Sequence, residues 1–423
     1  MTSSFKSTLG LDEVASKYPN IPKLVLLKID LIRRGVHYTK RAEEALDPTR
    51  DQLRSSSLFG CRDGSLSPLP EAIMLRDGGT ALTDPTPLAK RPYTVDWDGG
   101  RWILLDGERF VDEVYLWPRP QYYDKSTSTG KEMRHIVAAR PQRLQVFAAS
   151  YCHFWNNDKG CRYCDIVPHA RQQGRELGAP QRPKTSDVVE TIHEALKEKG
   201  RFSTICMTSG SDTRGAKPFD AEVDYYVELL KGIGSLFDAQ RFPSQLIATA
   251  FSTDQLERIY QETGLMSITH DIEVLDPELF DWICPGKEEW VGYHEWKARL
   301  VRAVDIFGRG RVGTSFVAGV EFATPRGWTD EDEAVRKILG ESEELAEKGV
   351  NTVLQVWIPK PNSLLRDQEP ASLEYLARLV LGLHEQRVKH RLNVDFDDYR
   401  RCGNHADTDL SRLLPFFAES AAA

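Results

Sequence analysis

Cys152-His153-Phe154-Trp155-Asn156-Asn157-Asp158-Lys159-Gly160-Cys161-Arg162-Tyr163-Cys164 places three thiols within thirteen residues. It directly follows Leu144-Gln145-Val146-Phe147-Ala148-Ala149-Ser150, a run that reads as a buried strand. Soft thiolates at such spacing select zinc or an iron–sulfur cluster over hard cations. The count is informative, because structural zinc wants four closed ligands, whereas a four-iron cluster on three thiolates keeps one iron open. His153 could complete a zinc site on paper. Neighbouring residues of an extended segment point to opposite sides, however, so Cys152 and His153 are a poor pair for one tetrahedral ion. The cluster is the first reading and zinc the alternative.

Outward from this stretch, the chain has 423 residues, more than one core usually organises, so a large catalytic domain with an appended module is expected. A 40% hydrophobic and 28% charged composition is that of an ordinary globular chain. The net charge of −8 argues against a general nucleic-acid or anionic-membrane surface. Met1-Thr2-Ser3-Ser4-Phe5-Lys6 lacks the basic and apolar regions of a signal peptide, and no apolar run reaches membrane-spanning length. Seven cysteines without a small-domain disulfide pattern fit a reducing, cytoplasmic setting.

Residues 1–140 read as a helical and β-meander extension, with strands at Tyr93–Trp97, Arg101–Leu105 and Phe110–Trp117 around the Asp98-Gly99-Gly100 turn. Cys61 there reads as a plain buried or surface thiol. From 141 to 390 strand-like and helix-like segments alternate. Strands are expected at 202–207, 246–251, 267–274, 312–320 and 352–358 after the first. Thr185 or Ser186, Thr329 and Ser372 are expected at helix starts. Six strands, each followed by a helix, predict an α/β fold: a partial (β/α)6 TIM-type barrel with its chemistry at the strand C-termini. Residues 391–423 form a tail.

The pair Cys161-Arg162-Tyr163-Cys164, with an aromatic before the last cysteine, resembles the radical S-adenosylmethionine (SAM) enzymes. In that family three cysteines after the first strand of a partial TIM barrel hold a [4Fe–4S] cluster, and the aromatic lies near the adenine. The family usually has three residues between the first two cysteines, and here there are eight. The resemblance implies Cys152, Cys161 and Cys164 as cluster ligands, with SAM on the open iron and Tyr163 beside its adenine. Met207-Thr208-Ser209-Gly210-Ser211-Asp212 is similar to the family's Gly-rich element for the SAM amino group. The usual glutamate is absent, which leaves backbone carbonyls and the hydroxyls of Thr208 and Ser209. In Thr269-His270-Asp271-Ile272-Glu273 a two-residue strand period puts Asp271 and Glu273 on one face, and Glu273 resembles the acidic contact to the ribose or methionine amine. A structural ion pair is its plainer reading. Val317-Ala318-Gly319-Val320-Glu321 resembles part of the adenine-contact motif, giving Gly319 and Glu321 as cofactor contacts. The segment around Asp276-Pro277-Glu278 and Cys284-Pro285-Gly286-Lys287 is most like biotin-synthase-related members; Cys284 itself reads as a small buried hydrophobe.

The implied activity is reductive cleavage of SAM to a 5′-deoxyadenosyl radical that takes hydrogen from a small-molecule substrate. An external one-electron donor of flavodoxin or ferredoxin type is implied, with no nucleic-acid or membrane partner. Only one cluster is expected, since the other cysteines are single and widely spaced. The remaining alternatives are a zinc-stabilised binding protein and a metal-dependent barrel hydrolase. Asp395 to His405 is read as a lid, with Cys402 as a late hydrogen donor, Tyr399 second, and His405 in substrate contact.

Overall fold

The computed structural model describes residues 9–66, 68–76, 78–392 and 403–413. Tyr399 and Cys402 lie outside the described residues.

Two sheets share one continuous hydrophobic core. The first is formed by β1 (Val36–Tyr38), β2 (Ala72–Met74), β3 (Thr80–Leu82), β4 (Tyr93–Trp97), β5 (Trp102–Asp106) and β6 (Arg109–Leu116), in the order β1-β4-β5-β6-β2-β3. The expected meander is β4 to β6. The extension is larger than a meander because the three-residue strands β1, β2 and β3, too short to show a period, extend it on both sides.

The second sheet contains β7 (Val137–Arg140), β8 (Arg143–Ala149), β9 (Thr204–Ser209), β10 (Ser244–Ile247), β11 (Ser267–Thr269), β12 (Val312–Ala318) and β13 (Val350–Val356). From β8 to β13 every pair is parallel and consecutive. Helices cover the crossovers, so both faces are buried and β12 is buried along its whole length. This is the expected six-stranded partial TIM-type barrel. An unexpected strand, β7, pairs antiparallel outside β8, so this sheet begins within the segment read as extension. Two strands are shorter than the apolar runs suggested: β10 ends at Ile247 and β11 at Thr269.

Helix starts follow side-chain chemistry, with some shifts. Ser372 caps Leu373–His390 through the Tyr375 N–H at 3.0 Å, as expected. Asp330, rather than Thr329, caps Glu331–Glu347. Thr185 and Ser186 lie inside their helix, whose N-cap position is Lys184.

Side chains occupy both edges of the barrel sheet. At β7 the Ala139 N–H donates to Tyr123 Oη at 3.0 Å, and Gln52 Nε2 donates to the Ala139 carbonyl at 2.9 Å. At β13 Arg387 donates to the Thr352 carbonyl at 3.1 Å and His405 Nδ1 to the Leu354 carbonyl at 2.9 Å. These side chains take up part of the backbone that each edge would offer a further strand. This corrects the expectation for His405: it is buried as an edge cap, and Arg387–Asp407 and Lys28–Asp409 ion pairs anchor the short helix Ala406–Leu413 that follows it.

Candidate functional site

The ends of β8 to β13 form one rim, and the thiol stretch folds over it. After Cys152, residues His153–Asp158 form a 3₁₀ stretch in which Asn157 and Asp158 both take φ of 59°. Asn and Asp tolerate that left-handed region better than other side chains. Gly160 lies under the Trp155 indole, where a Cβ would come within 2.9 Å of the ring. The eight residues between the first two cysteines are therefore a compact turn. Cys161 and Cys164 close a second turn through the Cys164 N–H to the Cys161 carbonyl at 3.0 Å, and the Ile166 N–H points at Cys164 Sγ at 3.5 Å.

The thiol spacing separates the two metal readings. Tetrahedral zinc with Zn–S near 2.3 Å needs sulfurs about 3.8 Å apart. Among the described residues, no three His, Cys, Asp or Glu ligand atoms of this stretch lie within 4.8 Å of one another. His153 is turned away, its Nδ1 accepting the Thr213 N–H at 3.2 Å while its ring stacks on Tyr151. Three separated soft donors are the kind of set that a cluster with several irons takes. Burial pushes the thiol of Cys152 up to about 12 and raises that of Cys164. Cys161 differs: a hydrogen bond from Cys284 lowers its pKa, and the nearby Lys287 charge adds to this.

The turn after β9 touches the first cysteine. A Cβ on Gly210 would stand 2.5 Å from the Cys152 Cβ and closer still to the Tyr151 carbonyl oxygen. The Gly210 N–H donates to the Ala149 carbonyl at 3.1 Å, and the His153 N–H to the Ser211 carbonyl at 2.8 Å. The Ser209 hydroxyl is bonded to Tyr226 Oη, so Thr208, the remaining capacity of Ser209 and backbone carbonyls are the groups this turn can offer a ligand. Behind it Glu222, buried, accepts the Asp212 N–H at 2.9 Å and the Thr249 hydroxyl at 3.1 Å. Burial pushes its carboxyl up to about 8. Sequence reasoning missed Glu222 because it sits in the amphipathic helix Asp220–Gly234, where its spacing matches core residues.

Beyond β11 the backbone is irregular, and Glu273 takes φ of 70°. The two-residue strand period therefore does not apply there, and Asp271 and Glu273 have different partners. Asp271 Oδ1 accepts the Ser315 N–H at 2.9 Å, and burial pushes its carboxyl up to about 7. Glu273 Oε1 accepts from Lys287 Nζ at 2.7 Å, and Lys287 also donates to the Asp271 carbonyl at 2.6 Å over the Trp296 ring. Lys287 was legible only as part of the Cys284-Pro285-Gly286-Lys287 segment, with no role attached. The charges of Glu273 and Cys161 both act on Tyr163, so the pair, the aromatic and the thiol share one corner of the rim.

Gly319 and Glu321 turn inward. Gly319, at φ of 109°, donates its N–H to both Glu321 carboxylate oxygens at 3.0 and 2.8 Å, and Glu321 also accepts from Tyr375 Oη. That carboxylate holds the turn after β12. The opposite side of the rim is joined by the extension: the Gly60 N–H donates to Asp165 Oδ2 at 3.2 Å, just after Cys164, and Asp84 pairs with Lys360, just after β13. Cys61 is buried in this seam. The one group of three close metal-ligand atoms among the described residues, Glu343, Glu347 and His390, lies on outer helices, not at strand ends where a barrel hydrolase would need it.

No family model matches this chain. A curated relative, the bacteriochlorophyllide c C-7(1)-hydroxylase of Chlorobaculum limnaeum, is 24% identical over 278 residues, covering 63% of this chain. The chain spans 65% of that relative's length. Solved structures with some likeness are HydG, a maturase of the [FeFe]-hydrogenase (18% identity, 58% of this chain and 49% of that one, TM-score 0.41), and methylornithine synthase PylB (14%, 68% and 84%, 0.40). A radical SAM methyltransferase from Sphaerobacter thermophilus is 14% identical over 95% of this chain and 98% of that one, with a TM-score of 0.38. Three thiols after the first strand of an open six-stranded parallel half-barrel are the arrangement in which the sequence resembles the radical SAM enzymes.

Proposed function

We propose that this protein abstracts a hydrogen atom from a small-molecule substrate, with Cys152, Cys161 and Cys164 holding one [4Fe–4S] cluster. The observation that carries this reading is the spread of the three thiols, too wide for one tetrahedral zinc, with the first of them against the glycine turn after β9. When bound, the cluster and SAM supply the electron and the 5′-deoxyadenosyl radical of the reaction.

The chain's own residues position and shield. Thr208 and the carbonyls around Gly210 receive the SAM amino group beside Cys152. Glu273, held by Lys287, offers its second oxygen to the ribose or amine, and Tyr163 flanks the adenine. Glu321 acts through Gly319, fixing the turn that the adenine abuts. The extension, joined to the rim at Gly60–Asp165 and Asp84–Lys360, keeps water from the reacting carbon. Of the segment Asp395 to His405 read as a lid, His405 is held at the β13 edge, and residues 395–402 lie outside the described residues.

The curated relative is a hydroxylase, and attack at an unactivated carbon is the class of step we extend to this chain. A flavodoxin- or ferredoxin-type protein supplies the electron. The test is to incubate anaerobically reconstituted, reduced protein with SAM and deuterium-labelled candidate metabolites and look for deuterium in 5′-deoxyadenosine. Protein that takes up zinc but no iron or sulfide overturns the proposal.

A further inference from the structure

The cluster loop is fastened to the junction of two helices, Pro277–Ile283 and Pro285–Trp290. The Arg162 N–H donates to the Ile283 carbonyl at 2.8 Å, Arg162 Nε to the Trp282 carbonyl at 2.7 Å, and the Gly286 N–H to the Lys159 carbonyl at 3.0 Å. The two chains thus run past each other in a register that sets Cys284 opposite Cys161. The approach is close: a Cβ on Gly286 would stand 2.6 Å from the Phe154 Cβ and 2.7 Å from the Lys159 carbonyl oxygen.

Cys284 itself has no freedom to swing away. Its N–H closes the first helix on the Phe280 carbonyl at 2.8 Å, Pro285 begins the next helix, and the residue is fully buried. The backbone register places this thiol beside Cys161. It lies far along the chain from Cys152, Cys161 and Cys164 and on a different element.

We propose that Cys284 is a positioning residue for the cluster: its S–H donates a hydrogen bond to the Cys161 sulfur and thereby raises the cluster's reduction potential. The physical reason is that reduction adds negative charge, which spreads onto the ligand sulfurs, so a donor there stabilises the reduced form more than the oxidised one. Lys287, three residues on, is paired with Glu273 at the same corner, so the two charges act on Cys161 in opposite directions and the thiol is the uncompensated donor. The inference rests on the reading that Cys161 ligates a cluster. A residue that only filled space would be replaced without electronic consequence by an apolar side chain of similar size.

The experiment compares reconstituted wild type with Cys284→Ser, Cys284→Val and Cys284→Ala. Iron and sulfide content is measured first, then the midpoint potential by redox titration followed by electron paramagnetic resonance. Ser keeps a donor and should titrate at or above wild type. Val and Ala should titrate lower, with the ratio of reduced to oxidised cluster at a fixed potential falling about fivefold, as loss of one modest hydrogen bond implies. If Ala does not hold a cluster, the Ser and Val pair decides. Val and Ser titrating together with wild type overturns the role of Cys284 and leaves the ligand reading standing. A wild type that takes up no iron overturns the ligand reading, and this inference with it.

Discussion

Gly210→Ala should be among the most damaging single-methyl changes in this protein. The added Cβ would stand 2.5 Å from the Cys152 Cβ, about 1 Å inside an ordinary carbon–carbon contact, and closer still to the Tyr151 carbonyl oxygen. Both obstacles belong to main chain or to a Cβ, so no rotamer change relieves them, and either the turn or the cluster loop must move. Overpacking of this kind costs about 3 kcal/mol, the upper end of the usual range, because backbone has to shift. Tm should fall by about 3 °C. The displaced partner is Cys152, so iron bound per chain after reconstitution should fall as well. Gly340→Ala is the control: nothing lies within 4 Å of its Cβ position in the helix Glu331–Glu347, and it should be neutral or slightly stabilising. Wild-type iron content and Tm in Gly210→Ala would refute the placement of this turn against the first cysteine.

Replacing Cys152, Cys161 and Cys164 together with Ala should abolish cluster-level iron by chemical assay, and iron retained by the triple variant would mean a second cluster elsewhere. Lys287→Met leaves the Glu273 carboxylate, about 14% exposed, without its cation and should cost about 3 kcal/mol. Most of that should return in Lys287→Met/Glu273→Gln, and purely additive urea midpoints would show the pair to be uncoupled. Glu222 holds its proton more tightly folded than unfolded, so its contribution is complete below its ordinary pKa and is lost as pH rises through about 8. Glu222→Gln, which mimics the protonated form, should therefore gain stability relative to wild type between pH 5.5 and 9; a pH-independent difference in urea midpoint would contradict this. His405→Leu removes the donor to the Leu354 carbonyl and should cost about 1–3 kcal/mol while SAM cleavage per folded molecule is kept. Intact stability with lost turnover would return His405 to the active site.

The six parallel strands were legible because each is an apolar run long enough to stand out between helical periods, and the thiols because metal spacing is local. What stayed hidden depends on contacts distant in sequence. Strands of three or four residues, such as β1 and β7, carry no period. Glu273 was read on a strand, yet the ladder stops at Thr269 and the backbone turns to positive φ, which no pattern of polar and apolar residues encodes. Cys284 reads as a small apolar residue until the helix junction is seen against the cluster loop. His405 and Asp84 show what polar density leaves open: it does not say whether a side chain seals a sheet edge or joins the rim.

The two edge caps of the half-barrel also differ in when they become available. Gln52 and Tyr123 precede β7 in the chain, so during synthesis that edge has its partners as soon as it forms. β13 has no such partners at first, because Arg387 and His405 follow it. Until the helix Leu373–His390 and the segment from residue 403 leave the ribosome, a seven-residue strand presents open carbonyls to any other nascent strand. The growing chain is most exposed to aggregation in that interval, and shortening it before residue 403 would make that interval permanent.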